Sequence, residues 1–125
     1  MTLKDITVLV VDNDDLLRES ITDFLELEGA STFSASNGLK AFENIQESHH
    51  NIDIIISDIR MPECSGIDLL NMIKNYEEKS PPVIMMSSFS DYSEDTLRSL
   101  GAIGMFQKPS SFKNLKELII EIVKN

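Results

Sequence analysis

The chain has 125 residues with a net charge of −10, and 42% of them are hydrophobic. A chain of this length forms one domain with its own core, which we expect to span residues 1–125. The acidic balance argues against direct nucleic-acid binding, which depends on basic contacts with phosphates, and no apolar run reaches the roughly 18 residues of a membrane span.

Strand and helix patterns alternate five times along the chain. The strand patterns are short apolar runs, typical of strands covered on both faces, and the helix patterns carry apolar residues at helical spacing. In chain order the predicted elements are strand Ile6–Val11, helix Asp14–Glu28, strand Ala30–Ser34, helix Gly38–Glu47, strand Ile52–Ser57, helix Gly66–Asn75, strand Val83–Met86, helix Asp91–Leu100, strand Ile103–Phe106 and helix Ser111–Lys124. This alternation predicts an α/β fold, a doubly wound (βα)5 unit whose five-stranded parallel sheet carries helices on both faces.

Residues at the predicted helix ends support these boundaries. Asp14 and Asp15 suit the start of the first helix, where the helix dipole favours anions. Gly29 fits the C-terminal end of that helix, and Gly101 is predicted to end the fourth. Ser65 is a predicted N-cap of the third helix.

Polar side chains follow four of the five predicted strands. They are Asp12-Asn13 after the first, Asp58 after the third, Ser87-Ser88 after the fourth and Gln107-Lys108-Pro109 after the fifth. Because the carboxyl ends of the strands in a doubly wound sheet lie at one edge, we expect these groups to share one pocket. Clustered carboxylates favour a hard cation such as Mg²⁺, and a carboxylate can accept a phosphoryl group whose charge a lysine and a hydroxyl offset. The set therefore indicates phosphoryl transfer.

These motifs together resemble the receiver domain of two-component response regulators, a family with a flavodoxin-like fold. The resemblance extends over essentially the whole chain and rests on Val10-Val11-Asp12, Asp58-x-x-Met61-Pro62-x-x-x-Gly66, Ser87, Gly101-Ala102 and Lys108-Pro109. Each motif alone is weak, and their order on five βα units makes the resemblance specific.

The resemblance implies a phosphorylation-controlled switch rather than an enzyme. Asp58 would be the phosphoacceptor, charged by a sensor histidine kinase or a phosphotransfer protein. Asp12, Asn13 and Asp58, with the backbone carbonyl of Arg60, would bind Mg²⁺. At most, the domain would take phosphate from small donors and release its own.

The resemblance also implies roles for the later motifs. Lys108 would pair with Asp58 and then with its phosphoryl group, Ser87 would hydrogen-bond to that group, and Lys108-Pro109 would be a cis peptide. The output surface would be the fourth helix, fifth strand and fifth helix, roughly Asp91–Asn125. A downstream protein would bind there, and the domain would be a monomer or a phosphorylation-promoted dimer.

Asn13 departs from the family pattern near the expected metal site, whereas Asp14 matches a position that is commonly acidic in the family. Asn13 stands where the family usually has a second acid, so we expect weaker Mg²⁺ binding. Asp14 is either a partial replacement for that acid or an anion that stabilises the helix start.

Other departures bear on switching and on the lifetime of the phosphate. Met105 occupies the place of the family's usual aromatic residue, which predicts a muted or altered switch, while Phe106 should point to the opposite face as part of the core. Arg60, two residues after Asp58, and Phe89, two after Ser87, predict slow loss of the phosphate. Ser88 stands between Ser87 and Phe89 and belongs to the same modulating group.

Two other functions fit parts of the pattern. Asn13 and Met105 leave open a receiver-like module that binds proteins without phosphorylation. Asp12-Asn13-Asp14 also satisfies the start of a haloacid-dehalogenase-like phosphatase motif with Asp12 as nucleophile, but that function leaves Asp58-x-x-Met61-Pro62 unexplained.

The single cysteine and the start of the chain bear on the compartment. Cys64 excludes an internal disulfide, and we expect an inert loop thiol because no metal or catalytic motif surrounds it. Residues 1–5 carry no signal-peptide pattern, so a cytoplasmic location is expected.

Overall fold

The structure is a computed structural model, and it describes residues 2–48, 51–76, 80–87, 92–107 and 111–124. Strands and helices alternate within these ranges, as predicted. They are β1 (Thr7–Val11), α1 (Asp15–Leu27), β2 (Ser31–Ala35), α2 (Gly38–Ser48), β3 (Ile54–Asp58), α3 (Gly66–Lys74), β4 (Val83–Ser87), α4 (Glu94–Ser99), β5 (Gly104–Gln107) and α5 (Phe112–Lys124).

The five strands form one parallel sheet in the order β2-β1-β3-β4-β5. The chain starts near the middle of the sheet, winds to one edge and then crosses back to build the other half. This is the predicted doubly wound topology, and it brings β1 and β3 side by side at the point where the strand order reverses.

Two apolar layers cover the sheet. Alternation along β1 sends Val8 and Val10 to the layer beneath α1 and α5, and sends Leu9 and Val11 to the layer beneath α2, α3 and α4. All residues of β3 and β4 are buried, which explains why their sequences are apolar runs rather than alternating patterns. Phe106 is buried in the α1–α5 layer, as predicted, whereas Met105 packs against the other layer.

Side-chain caps and glycines fix the helix ends. The Asp14 carboxylate accepts a hydrogen bond from the Leu17 amide at the start of α1, and Ser65 begins α3 with a reciprocal capping box. Gly29 and Gly101 follow α1 and α4 with φ values of +106° and +117°, a conformation that favours glycine. These positions agree with the sequence prediction.

The fourth helix is shorter than predicted. Its pattern suggested Asp91–Leu100, but α4 begins at Glu94 because the Ser93 hydroxyl caps it by accepting from the Thr96 amide. Position 91 lies outside the described residues.

The helices described here are too short to cross a bilayer. The longest have 13 residues, whereas a transmembrane helix needs about 20.

Candidate functional site

Buried polar side chains concentrate at one edge of the sheet. Within the described ranges, the buried polar or charged residues are Asp12, Ser57, Asp58 and Ser87. All four lie at the carboxyl ends of β1, β3 and β4, and the other buried side chains in those ranges are apolar. Burying polar groups costs free energy unless they are hydrogen-bonded or paired, so this clustering marks a site rather than core packing.

Asp12 and Asp58 lie at the ends of neighbouring strands. Val11 pairs with Ser57 in the β1–β3 ladder, and the next residues along the chain are Asp12, just after β1, and Asp58, the last residue of β3. Asp12 is 0% exposed and Asp58 is 9% exposed. Carboxylates on adjacent strand ends repel each other when both are ionised, and a divalent cation bound between them would offset that repulsion.

Backbone amides orient both carboxylates. Oδ1 of Asp58 accepts from the Ile59 amide at 2.9 Å, and Oδ1 of Asp12 accepts from the Asp14 amide at 2.9 Å. The Ser57 hydroxyl donates to the Asp58 carbonyl oxygen, also at 2.9 Å. Hydrogen bonds therefore fix the carboxylates of both aspartates and also the backbone carbonyl of Asp58.

Asn13 and Asp14 take different positions in the turn after β1. Asn13 is exposed, whereas the Asp14 carboxylate caps α1, which favours the helix-start role for Asp14. Among the described residues, no group of three His, Cys, Asp or Glu side chains is placed to hold a metal ion. A cation here would complete its coordination beyond Asp12 and Asp58 with amide, carbonyl or water oxygens, and such an all-oxygen set fits Mg²⁺.

Arg18 is a site residue that the sequence analysis missed. Its Nη1 donates to the Asp12 carbonyl oxygen at 2.6 Å, and its Nη2 contacts Asp15 Oδ1 at 2.7 Å. The spacing of Asp15 and Arg18 on α1 predicts their ion pair. The contact with Asp12 depends on how α1 packs against β1, and no local pattern carries that information.

The loop between β3 and α3 is tightly built. Glu63 has a φ of +69°, and the Cys64 amide donates to the Pro62 carbonyl at 2.7 Å, which closes a γ-turn. A Cβ atom on Gly66 would lie 2.3 Å from the Asp58 carbonyl oxygen and 2.5 Å from Cε of Met85. Glycine at position 66 thus lets α3 begin directly against the end of β3.

The same loop forms one wall of an open cleft of about 630 Å³. Arg60, Ser65 and Tyr92 are among the residues that line it, together with Ile59, which directly follows Asp58. The cleft therefore lies beside the residues that directly follow Asp58 in the chain.

The remaining predicted residues divide into two groups. Ser87 is 5% exposed and ends β4, where it pairs with Gln107 of β5, and Met105 is half-buried on the α4 side of β5. The predictions for Lys108, Pro109, Ser88 and Phe89 fall outside the described residues.

Residues 8–120 match the family model of the response regulator receiver domain. The chain belongs to this family. The resemblance inferred from the strand-end motifs is thereby confirmed, and this receiver domain has the fold expected of it.

Curated relatives of the receiver domain are longer proteins. This chain is 36% identical over 118 residues to the two-component response regulator-like protein APRR7 of Arabidopsis thaliana. The aligned region covers 93% of this chain and 16% of that protein. The chain is 32% identical over 122 residues to a cyclic di-GMP phosphodiesterase of Thermotoga maritima, covering 95% of this chain and 31% of that protein. The chain therefore spans about a sixth of the plant relative and about a third of the bacterial one.

Solved receiver domains have the same architecture. One from Clostridium thermocellum superposes with a TM-score of 0.87 at 26% identity, covering 95% of this chain and 94% of that one. The receiver domain of the Francisella response regulator 1452 gives 0.84 at 29% identity, covering 95% and 97%.

Burial protects the single thiol of the receiver domain. Cys64 lies within the β3–α3 loop and is 4% exposed, and burial raises the pKa of its thiol, with the Asp68 carboxylate adding to the effect. Because the thiolate is the reactive form, we expect iodoacetamide at pH 8 to alkylate the folded protein far more slowly than the protein unfolded in guanidinium chloride. Equal rates in the two states would contradict this expectation.

Proposed function

We propose that this receiver domain accepts a phosphoryl group on Asp58 from a histidine kinase or a phosphotransfer protein. The carrying observation is that the buried polar side chains of the described ranges collect around Asp58 at the carboxyl edge of the sheet. Asp58 ends β3 and is 9% exposed, whereas Asp12 is fully buried, and the residues that follow Asp58 line an open cleft. We further propose that residues 1–125 form one such domain.

The proposed reaction transfers a phosphoryl group from the histidine of the donor to Asp58. A carboxylate oxygen of Asp58 attacks the phosphorus of the donor phosphohistidine, the P–N bond breaks, and its electron pair returns to the imidazole. The product is an acyl phosphate on Asp58. The amide of Ile59, which already contacts Oδ1, keeps the carboxylate oriented for this attack.

Mg²⁺ would be bound by four groups. They are the side chains of Asp12, Asn13 and Asp58 and the backbone carbonyl of Arg60. When bound, Mg²⁺ would offset the negative charge of the carboxylates and of the phosphoryl oxygens. The two buried carboxylates and the absence of sulfur or imidazole ligands among these four residues support this assignment.

Two further side chains would hold the phosphoryl group. Ser87 is buried at the end of β4, and Asp58 pairs with Met86, the residue before it. This neighbouring position supports a hydrogen bond from the Ser87 hydroxyl to a phosphoryl oxygen. Lys108 follows Gln107, the β5 partner of Ser87, and its pairing with Asp58 stays a prediction from family resemblance.

Phosphorylation would shift the domain between two surface states. The proposed readout is the face formed by α4, β5 and α5, where a downstream protein or a second copy would bind. Met105 is a residue of β5 whose side chain packs against the layer beneath α4. Because Met is flexible and lacks a ring, we expect a smaller rearrangement there than an aromatic residue would give.

Phosphate uptake from acetyl phosphate tests this function. Intact-mass spectrometry should detect one added phosphoryl group in the presence of Mg²⁺ and none when EDTA removes the cation. Failure to take up phosphate with Mg²⁺ would instead favour the phosphorylation-independent module. Steady hydrolysis of p-nitrophenyl phosphate would favour the phosphatase with Asp12 as nucleophile.

Replacing Asn13 by Asp should tighten Mg²⁺ binding. The substitution adds a negative charge at an exposed position of the cation site, and we expect about a tenfold lower Kd, equivalent to roughly 1.4 kcal/mol. Isothermal titration calorimetry measures the change. Asn75→Asp adds the same charge at the C-terminal end of α3 and should leave the Kd unchanged, so equal affinities of the two variants would contradict a ligand role for position 13.

A further inference from the structure

Arg18 joins α1 to the end of β1 through two separate nitrogens. Nη1 donates to the main-chain carbonyl of Asp12 at 2.6 Å, and Nη2 pairs with the Asp15 carboxylate at 2.7 Å. The Arg18 side chain is 19% exposed, whereas that of Asp15 is 82% exposed. The planar guanidinium has the fork geometry that such a two-sided contact requires.

The contact with Asp12 completes a set of bonds around one short turn. The Asp12 amide donates to the Ala35 carbonyl at 3.1 Å, and the Asp12 carboxylate accepts from the Asp14 amide. The Asp12 carbonyl, which begins the peptide bond to Asn13, is the group that Arg18 holds. Every hydrogen-bonding group of Asp12 named here therefore helps to fix the segment that carries Asn13.

We propose that Arg18 is a positioning residue for the cation site, an inference that rests on the proposed function. Mg²⁺ requires near-ideal octahedral geometry with short metal–oxygen distances. A small movement of the Asp12–Asn13 peptide would therefore displace two of the proposed ligands together. Groups that orient metal ligands affect affinity without touching the metal.

Because Arg18 is positively charged, the direction in which Mg²⁺ affinity changes on its removal is informative. A guanidinium beside the site repels a divalent cation, so a purely electrostatic Arg18 would weaken Mg²⁺ binding and its removal would tighten it. A positioning Arg18 has the opposite effect, because its removal loosens the ligands. The direction of the change thus separates the two roles.

Arg98 provides a matched control. It forms the same kind of pair on its own helix, with Nη2 at 2.7 Å from Glu94, and its side chain is 51% exposed. Its helix, α4, is joined in sequence to β5 rather than β1. R98M and R18M therefore remove equal charge and one helical ion pair each.

Calorimetric Mg²⁺ titration of wild type, R18M, R18K and R98M tests the inference, with thermal melts to establish that each variant is folded. We expect about a tenfold higher Kd for R18M and a smaller increase for R18K, which keeps the charge but lacks the fork. R98M should match wild type. An unchanged or tighter Kd in R18M would overturn the positioning role.

A second readout needs no metal. In the Mg²⁺-free protein, hydrogen exchange of the Asp14 amide, which donates to Asp12, should be faster in R18M than in wild type and unchanged in R98M. An unchanged rate in R18M would overturn the inference even if the proposed function holds. Conversely, a wild type that binds no Mg²⁺ would overturn the cation site itself, while the exchange rates would still decide whether Arg18 holds the turn.

Discussion

Replacing Asp58 by Asn should abolish phosphate uptake while leaving the domain folded. The amide has nearly the shape of the carboxylate but lacks the nucleophilic oxygen that forms the acyl phosphate. Its oxygen can still accept from the Ile59 amide, as Oδ1 of Asp58 does. Intact-mass spectrometry after incubation with acetyl phosphate and Mg²⁺ measures the loss.

Asp53→Asn is the matched control for that substitution. Asp53 precedes β3 at the opposite edge of the sheet, where its Oδ2 accepts from the Thr7 amide at 2.8 Å. An Asn side chain can keep that hydrogen bond, so this variant should take up phosphate as wild type does. Full uptake by the Asp58→Asn variant would place the acceptor elsewhere in the chain.

Replacing Gly66 by Ala should cause the largest loss of stability among the substitutions considered. The added Cβ would lie 2.3 Å from the Asp58 carbonyl oxygen and 3.1 Å from the Ile59 Cα. Both are backbone atoms that cannot rotate away, so β3 and α3 must separate. We expect the free energy of unfolding to fall by about 3 kcal/mol, at the upper end of overpacking effects, and phosphate uptake at Asp58 to slow.

Gly104→Ala is the control for Gly66→Ala. It tests whether the loss of stability comes from the close approach of α3 to β3. Its Cβ would meet nothing nearer than 3.9 Å, an ordinary contact with Leu118 and Ile122. Gly104 is in β5, where glycine weakens a strand, so alanine should be close to neutral. Urea denaturation measures both variants, and equal losses of stability would contradict the steric explanation.

The repeating elements of the fold were predictable because their signals are local. Strands buried on both faces need apolar runs, such as the three isoleucines at residues 54–56 of β3. Helices need apolar residues at helical spacing. Caps such as Ser65 and glycines such as Gly29 act within one turn of the chain. The order of the polar strand ends then indicated the family, and it pointed to Asp12, Asp58 and Ser87, which are buried at the carboxyl ends of their strands.

The contacts that the sequence did not predict depend on distances between helices and strands. The closeness of α3 to β3 at Gly66 and the contact of Arg18 with Asp12 arise from packing, and no residue pattern encodes an interatomic distance. The start of α4 was misplaced because two polar residues, Asp91 and Ser93, both suit an N-cap. The role of Asp14 was left open for a similar reason, since a carboxylate serves a helix start and a cation equally well.

Locating the phosphoryl group tests the role of Asp58 most directly. Borohydride reduces an aspartyl phosphate to homoserine, and tandem mass spectrometry of the digested, acetyl phosphate-treated protein reads its position. Phosphorylation of Asp58 predicts homoserine at position 58 alone, and only when Mg²⁺ is present. Homoserine at position 12, or at no position, would contradict it.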